Sequence, residues 1–178
     1  MSILSSPNSL TFLRIILSPV ICALILSEFF LLALILFSLA AATDLFDGML
    51  ARKKLKVSDF GKFFDPMADK ILIFSCFIFM VKLDLVNCWS VVLLLIRDFL
   101  ISTLRLIASK NHHVIAANFW GKFKTFLQFL SVILIISSLL FTGKFGMILL
   151  QVSHLFLWMS VALAWISMVV CFRDLGKI

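Results

Sequence analysis

Apolar residues run in six continuous stretches, roughly 10–27, 29–50, 66–83, 88–109, 121–141 and 146–171, with short polar breaks between them. Each stretch is close to the roughly 20 residues a helix needs to cross the hydrocarbon core of a bilayer. The runs are continuous, whereas a membrane β-barrel would alternate in segments of about 10 residues. Backbone amides in lipid must be paired within their own segment, which makes helices the default. The pattern therefore predicts an all-α, polytopic integral membrane protein with six transmembrane helices. Residues 1–178 are expected to form a single membrane domain, with no length left over for a soluble one.

Composition agrees. The chain is 63% hydrophobic and 14% charged, against about 45–50% and about 25% in soluble domains. Both a water-soluble globule and a disordered chain are excluded. The formal charge is +7, with 16 Lys and Arg. If both ends lie on one side, the opposite side has only Lys82 and Lys144, and Arg97 falls inside the fourth stretch. Such a bias predicts that the basic side is cytoplasmic. The excess charge then reads as topology and attraction to anionic lipid, with no nucleic-acid partner. Cys22, Cys76, Cys88 and Cys171 are widely spaced with no C-x-x-C pair, so they read as small buried hydrophobes. The first stretch lacks a basic start and a small-residue cleavage pattern, and is expected to be a retained helix.

The charges that do enter the apolar regions are concentrated. The second stretch ends in Asp44, Asp47 and Gly48, followed by Arg52, and the third is entered through Gly61, Asp65 and Asp69. Spacings of three and four put each aspartate pair on one helical face. Four like charges at a membrane boundary repel one another and resist desolvation. Solvated loop acids paired with Lys53, Lys54 or Lys62 would explain one such residue more readily than four. Divalent cation binding relieves the crowding directly, and oxygen ligands without sulfur or imidazole favour Mg²⁺, Mn²⁺ or Ca²⁺. Two metals about 3.5–4 Å apart are a recurring clamp for phosphoryl displacement. Gly48 and Gly61 either admit a phosphate close to the backbone or serve close helix packing. Arg52 either contacts a phosphate or marks the membrane edge.

Written out, Asp44 to Asp69 is D-x-x-D-G-x-x-A-R, eight residues, then G-x-x-x-D-x-x-x-D. This resembles the signature of the CDP-alcohol phosphatidyltransferase family at every fixed position, and the likeness extends over essentially the whole chain. The resemblance implies transfer of a phosphatidyl group from CDP-diacylglycerol to an alcohol with release of CMP. It implies that Asp44, Asp47, Asp65 and Asp69 hold two Mg²⁺ (or Mn²⁺) per active site, and that Asp69 is also the general base. Gly48, Arg52 and Gly61 would lie along the cytidine diphosphate, beside Asp44 and Asp47. It further implies a homodimer in a bacterial inner (cytoplasmic) membrane, with the active site on the cytoplasmic side.

Three further segments bear on the acceptor. Pro7 to Arg14 is similar to the P-N-x-L-T-x-x-R opening of bacterial phosphatidylglycerophosphate synthases. Asp65 to Lys70 resembles their D-P-x-A-D-K, and Ile115 to Thr125 their I-A-A and G-K-x-K-T. The implied acceptor is glycerol 3-phosphate, with Asn8, Thr11 and Arg14 on the CDP-diacylglycerol side; Asn8 or Ser9 alternatively caps the first helix. The residues themselves point to an anionic acceptor. Asp98, Ser102, Arg105 and Ser109 recur at spacings that make one face of the fourth helix polar, and such a face looks toward a cavity or a partner. Arg105, Lys122 and Lys124 are candidates for the acceptor phosphate, although plain positive-inside topology also accounts for the two lysines. Arg97 is either a phosphate ligand or a buried ion-pair partner. Where family members often have Arg-Glu, this chain has Arg97-Asp98.

His112 and His113 read as solvated loop residues, and the four Trp and 20 Phe as packing or lipid-facing side chains. Other members of the family act on phosphatidylglycerol, inositol phosphate or serine, which are the alternative acceptors. A divalent-cation carrier is the alternative of a different class. It calls for acids in the middle of the spans, whereas these sit at one edge.

Overall fold

A computed structural model describes residues 6–51, 59–110 and 119–175, with side chains over 12–42, 67–68, 70–104 and 120–173. Its elements are six helices: α1 (Ser6–Leu26), α2 (Phe30–Ala51), α3 (Asp59–Lys82), α4 (Cys88–Lys110), α5 (Phe119–Leu140) and α6 (Lys144–Leu175). No strand occurs among the described residues. Each helix covers one predicted apolar stretch, and the main departures are at polar ends. α3 begins at Asp59, where the apolar pattern starts at 66, because helical hydrogen bonding continues through residues too polar to count as lipid-facing. α6 runs for 32 residues, about 48 Å at 1.5 Å per residue, longer than the roughly 30 Å of a hydrocarbon core.

Among the described residues, two stretches are long and apolar enough to cross a membrane, Trp120–Leu140 and Lys144–Arg173, and Phe12–Leu26 of α1 and Phe30–Ala42 of α2 are shorter apolar stretches. The exterior is nonetheless apolar along the bundle: Leu31 and Ile35 on α2, Ile78 on α3, Phe99 on α4, Phe126 on α5 and Ile166 on α6 are all exposed.

Helices joined by short turns pair with each other. Glu28 and Asp84 take left-handed φ values of 63° and 56°. They end α1 and α3 in the same hydrogen-bond pattern: Phe29 N–H donates to Leu24 O (2.9 Å) and Leu85 N–H to Met80 O (2.9 Å). This is the closing motif in which glycine is usual. The α5–α6 turn uses a glycine, Gly143, at φ 80°. Three residues later no side chain is tolerated: a Cβ on Gly146 would stand 2.2 Å from the Phe141 carbonyl oxygen. α5 and α6 then form the most extensive helix pair of the bundle, with Ser131, Ser138, Ser153 and Ser160 all buried. Small side chains let the backbones approach, and Ser131 Oγ donates across to Ser153 O (3.0 Å).

The core lies between these pairs. Ile21 and Ile25 of α1 meet Leu72, Phe77 and Met80 of α3, with Phe37, Leu94, Ile135 and Leu157 also fully or almost fully buried. Phe37 of α2 packs on Phe129 of α5 with ring centroids 5.8 Å apart. His154 of α6 bonds the Leu85 carbonyl through Nε2 (2.7 Å), which pins the α3–α4 turn to α6.

Gly146→Ala is expected to destabilise the fold by about 2 kcal/mol or more, since the obstacle is backbone with no soft side chain to move. Asp84→Gly is expected to stabilise it by about 0.5–1 kcal/mol by relieving the left-handed residue. The midpoint of thermal unfolding in detergent checks both.

Candidate functional site

Four charged side chains are buried among the described residues: Arg14, Arg97, Asp98 and Lys124, each 3–4% exposed. Removing an ion from water costs several kcal/mol unless close partners offset it, so what surrounds these groups decides what they can do. Three of them form one cluster. Arg97 Nη1 donates to Asp98 Oδ1 at 3.0 Å, and the Lys124 ammonium pairs with the same oxygen. Consecutive residues on a helix diverge by about 100°, so Arg97 reaches toward α6 while Asp98 turns toward α5. On the α6 side, Arg97 Nε donates to the Ala164 carbonyl (2.8 Å) and Nη2 to Ser167 Oγ (2.9 Å). Gly121 of α5 lies beside it, and a Cβ there would make an ordinary 3.7 Å contact with Ser167 Oγ.

A fourth helix enters from the other side. Lys70 of α3 donates from Nζ to the backbone carbonyl of Asp98 (3.2 Å) and to Ser102 Oγ. Ser102 in turn donates to that same carbonyl (2.6 Å). α3, α4, α5 and α6 thus meet at Asp98. Two cations share one carboxylate oxygen, so Arg97, Lys124 and Asp98 together carry one positive charge more than Asp98 neutralises. A buried cation excess with donors already held in place offers an anion convergent partners.

The other candidates fall as follows. Asp44, Asp47 and Gly48 lie on the last turns of α2, and Gly61, Asp65 and Asp69 on the first turns of α3, flanking the connector 52–58. Asn8 and Thr11 lie on α1 and Arg105 on α4, and for all of these the side chains are outside the described residues. Arg52, Ser58, His112 and His113 are themselves outside them. Among the described residues no group of His, Cys, Asp or Glu could hold a metal ion. Arg14 is buried on α1, with its carbonyl accepting from Ser18 Oγ (3.2 Å).

Lys122 and Lys124, two residues apart, separate: Lys124 is buried in the cluster and Lys122 is exposed. Lys70 and Ser167 were not singled out for this cluster by sequence reasoning. Lys70 directly follows the motif aspartate Asp69. Ser167 continues a seven-residue series, Ser153, Ser160 and Ser167, and that periodicity was the available signal.

Arg97→Ala would leave Asp98 paired with Lys124 alone and take the donors from the Ala164 carbonyl and Ser167 hydroxyl, unlinking α4 from α6. It is expected to destabilise by about 1.5–3 kcal/mol, the size of a hydrogen bond to a charged group, and Ser167→Ala by about 1 kcal/mol. Thermal unfolding of both variants in detergent tests that ranking.

The sequence matches the family model described as CDP-alcohol phosphatidyltransferase over residues 4–172. It is 35% identical over 170 residues, 87% of this chain and 86% of the relative, to the CDP-diacylglycerol–glycerol-3-phosphate 3-phosphatidyltransferase of Bacillus subtilis (strain 168). It is 40% identical over 166 residues, 90% of this chain and 91% of the relative, to the protein of the same name from Rickettsia typhi. A probable phosphatidylglycerophosphate synthase of Mycobacterium tuberculosis (strain ATCC 25618 / H37Rv) is 38% identical over 134 residues, 70% of this chain and 62% of the relative. With the family match spanning nearly its full length, the chain belongs to the CDP-alcohol phosphatidyltransferase family.

Proposed function

We propose that this protein transfers the phosphatidyl group of CDP-diacylglycerol to glycerol 3-phosphate, giving phosphatidylglycerol phosphate and CMP. The observation that carries the acceptor assignment is the buried cation excess of Arg97 and Lys124 around Asp98, which suits a phosphate-bearing alcohol better than a neutral one. The names of the relatives agree with it. The aspartates of the motif, at helix-face spacings on α2 and α3, form an all-carboxylate donor set suited to hard divalent cations. Asp44, Asp47, Asp65 and Asp69 would hold two of them, Mg²⁺ or Mn²⁺, which would neutralise the pyrophosphate and stabilise charge on departing CMP.

The chain's own residues do the rest. Gly48, Arg52 and Gly61, with Asn8, Thr11 and Arg14 from α1, cradle the cytidine diphosphate. Lys124 and Arg97, with Arg105 and Lys122 nearer the connector 111–118, hold the acceptor phosphate. Asp69 accepts the proton of the attacking hydroxyl as its oxygen bonds to the phosphatidyl phosphorus. The bond from that phosphorus to the oxygen of CMP breaks, and CMP leaves. Holding both substrates in line removes much of the entropic barrier to this displacement, and the positioned carboxylate adds proton transfer.

The six helices are read as six spans. Lys and Arg gather at the end holding the motif, a bias that supports a site on the cytoplasmic side of a bacterial inner membrane, and the family resemblance supports a homodimer.

The test is CMP release by protein purified in detergent, with CDP-diacylglycerol and Mg²⁺, with and without glycerol 3-phosphate. Release should require glycerol 3-phosphate, stop on chelation by EDTA and return with Mg²⁺ or Mn²⁺. Asp69→Asn should lower kcat by about 10²–10⁴-fold. Lys124→Gln should raise KM for glycerol 3-phosphate about tenfold or more, the size of a lost charge-assisted hydrogen bond, with KM for CDP-diacylglycerol unchanged. Release dependent on a different alcohol would sink the acceptor assignment and keep the chemistry. No release with any alcohol, from folded protein, would sink the enzymatic reading.

A further inference from the structure

Asp98 is the one acid in the buried cluster among the described residues, and it is not needed to bind an anion; by charge alone it opposes one. Its position shows another use. Oδ1 is shared by Arg97 Nη1 and the Lys124 ammonium, groups that would otherwise repel each other in a medium of low dielectric. Its backbone carbonyl accepts from Lys70 Nζ and Ser102 Oγ, and Lys70 is the residue after Asp69. One residue therefore fixes the two buried cations and, through its main chain, the helix that carries Asp65 and Asp69.

We propose that Asp98 is a positioning residue for the acceptor: its carboxylate is the resident counter-anion that holds Lys124 and Arg97 at one point, and the phosphate of the acceptor takes over that role on binding. This rests on the acceptor reading above. The phosphate enters a site whose donors are already convergent, and part of its binding energy is spent displacing a carboxylate. In return it arrives in one register relative to α3, so that its hydroxyl meets Asp69. Without the carboxylate, Arg97 would keep only the neutral Ala164 carbonyl and Ser167 hydroxyl, and phosphate would be the sole anion shared by the two cations. They would bind it more tightly and in more than one place.

That gives a signature a merely structural role lacks, because affinity and turnover move in opposite senses. Inorganic phosphate binding to the detergent-purified full chain is measured by calorimetry, beside turnover with glycerol 3-phosphate and the thermal midpoint. In Asp98→Asn, which keeps shape and removes charge, phosphate should bind about tenfold tighter while kcat falls about tenfold or more, each the size of one charge-assisted hydrogen bond. In Asp98→Glu, which keeps charge and moves it by one methylene, phosphate affinity should stay at the wild-type value while kcat remains several-fold low. Should Asp98→Asn fail to fold, Asp98→Glu decides alone: wild-type values of both quantities would overturn the proposal. Phosphate affinity equal to or weaker than wild type in Asp98→Asn would overturn it while leaving the acceptor reading intact. If the wild-type protein binds no phosphate, the acceptor reading and this inference fall together.

Discussion

A single carboxylate oxygen, Oδ1 of Asp98, receives both Arg97 and Lys124, and the arrangement of four helices answers to that contact. Burying three ions in an apolar bundle is unfavourable unless every one finds partners at hydrogen-bond distance. Arg97 does so only because α6 brings the Ala164 carbonyl and Ser167 hydroxyl to it, and α6 gets that close only because α5 and α6 pack on small residues. The tight hairpin at Gly143 and Gly146 is thus connected to the charge cluster near the opposite ends of the same two helices. Relaxing the hairpin would move the partners that make the buried arginine tolerable.

Much of this was legible in the sequence, and the division between what was and what was not is physical. The six helices followed from apolar run length, because lipid and backbone pairing impose a local rule that needs no knowledge of neighbours. The early start of α3 at Asp59 escaped the same rule, since hydropathy reports the solvent around a helix and not its hydrogen bonding. The D-x-x-D-G-x-x-A-R and G-x-x-x-D-x-x-x-D segments stood out because like charges at helix-face spacing have no cheap structural explanation. The polar face of α4 was visible too. What met it was not, because the partners come from afar: Lys70 is 28 residues away from Asp98, Lys124 26, and Ser167 is 70 from Arg97. A one-dimensional pattern gives the face of a helix and leaves open which helix it faces.

The two lysines of the G-K-x-K-T segment illustrate the point. Lys122 and Lys124 are equivalent as positive charges near a membrane edge, and both suit a topology signal or a phosphate ligand. On a helix, residues two apart point to nearly opposite sides. One is therefore exposed while the other is buried against Asp98. A topology signal has no need of a buried ammonium, since charge bias works through solvated loops. Burial at Lys124 is a cost that calls for a return, and the compensation Asp98 supplies is shared with Arg97 and so incomplete. A residue placed for topology alone would sit where Lys122 sits.

The same reasoning bears on why the family's chemistry is compatible with so apolar a chain. A displacement at phosphorus needs high charge density in a small volume, and a membrane core resists charge. The chain gathers most of its charge at one end of the bundle, with Glu28, Lys82, Asp84 and Lys144 at the other. The aspartates lie on the last turns of α2 and the first turns of α3, and the buried cations on α4 and α5, bridged through Lys70. Apolar side chains such as Ile35, Ile78 and Phe99 cover the outside. Lys70 is the hinge of that division: it follows the last motif aspartate in sequence and is held by the backbone of the residue that pairs the cations. Anchoring Lys70 to main-chain carbonyl and hydroxyl, on a helix that packs through Leu72, Phe77 and Met80 in the core, ties α3, which carries Asp65 and Asp69, to the residue that pairs the two buried cations.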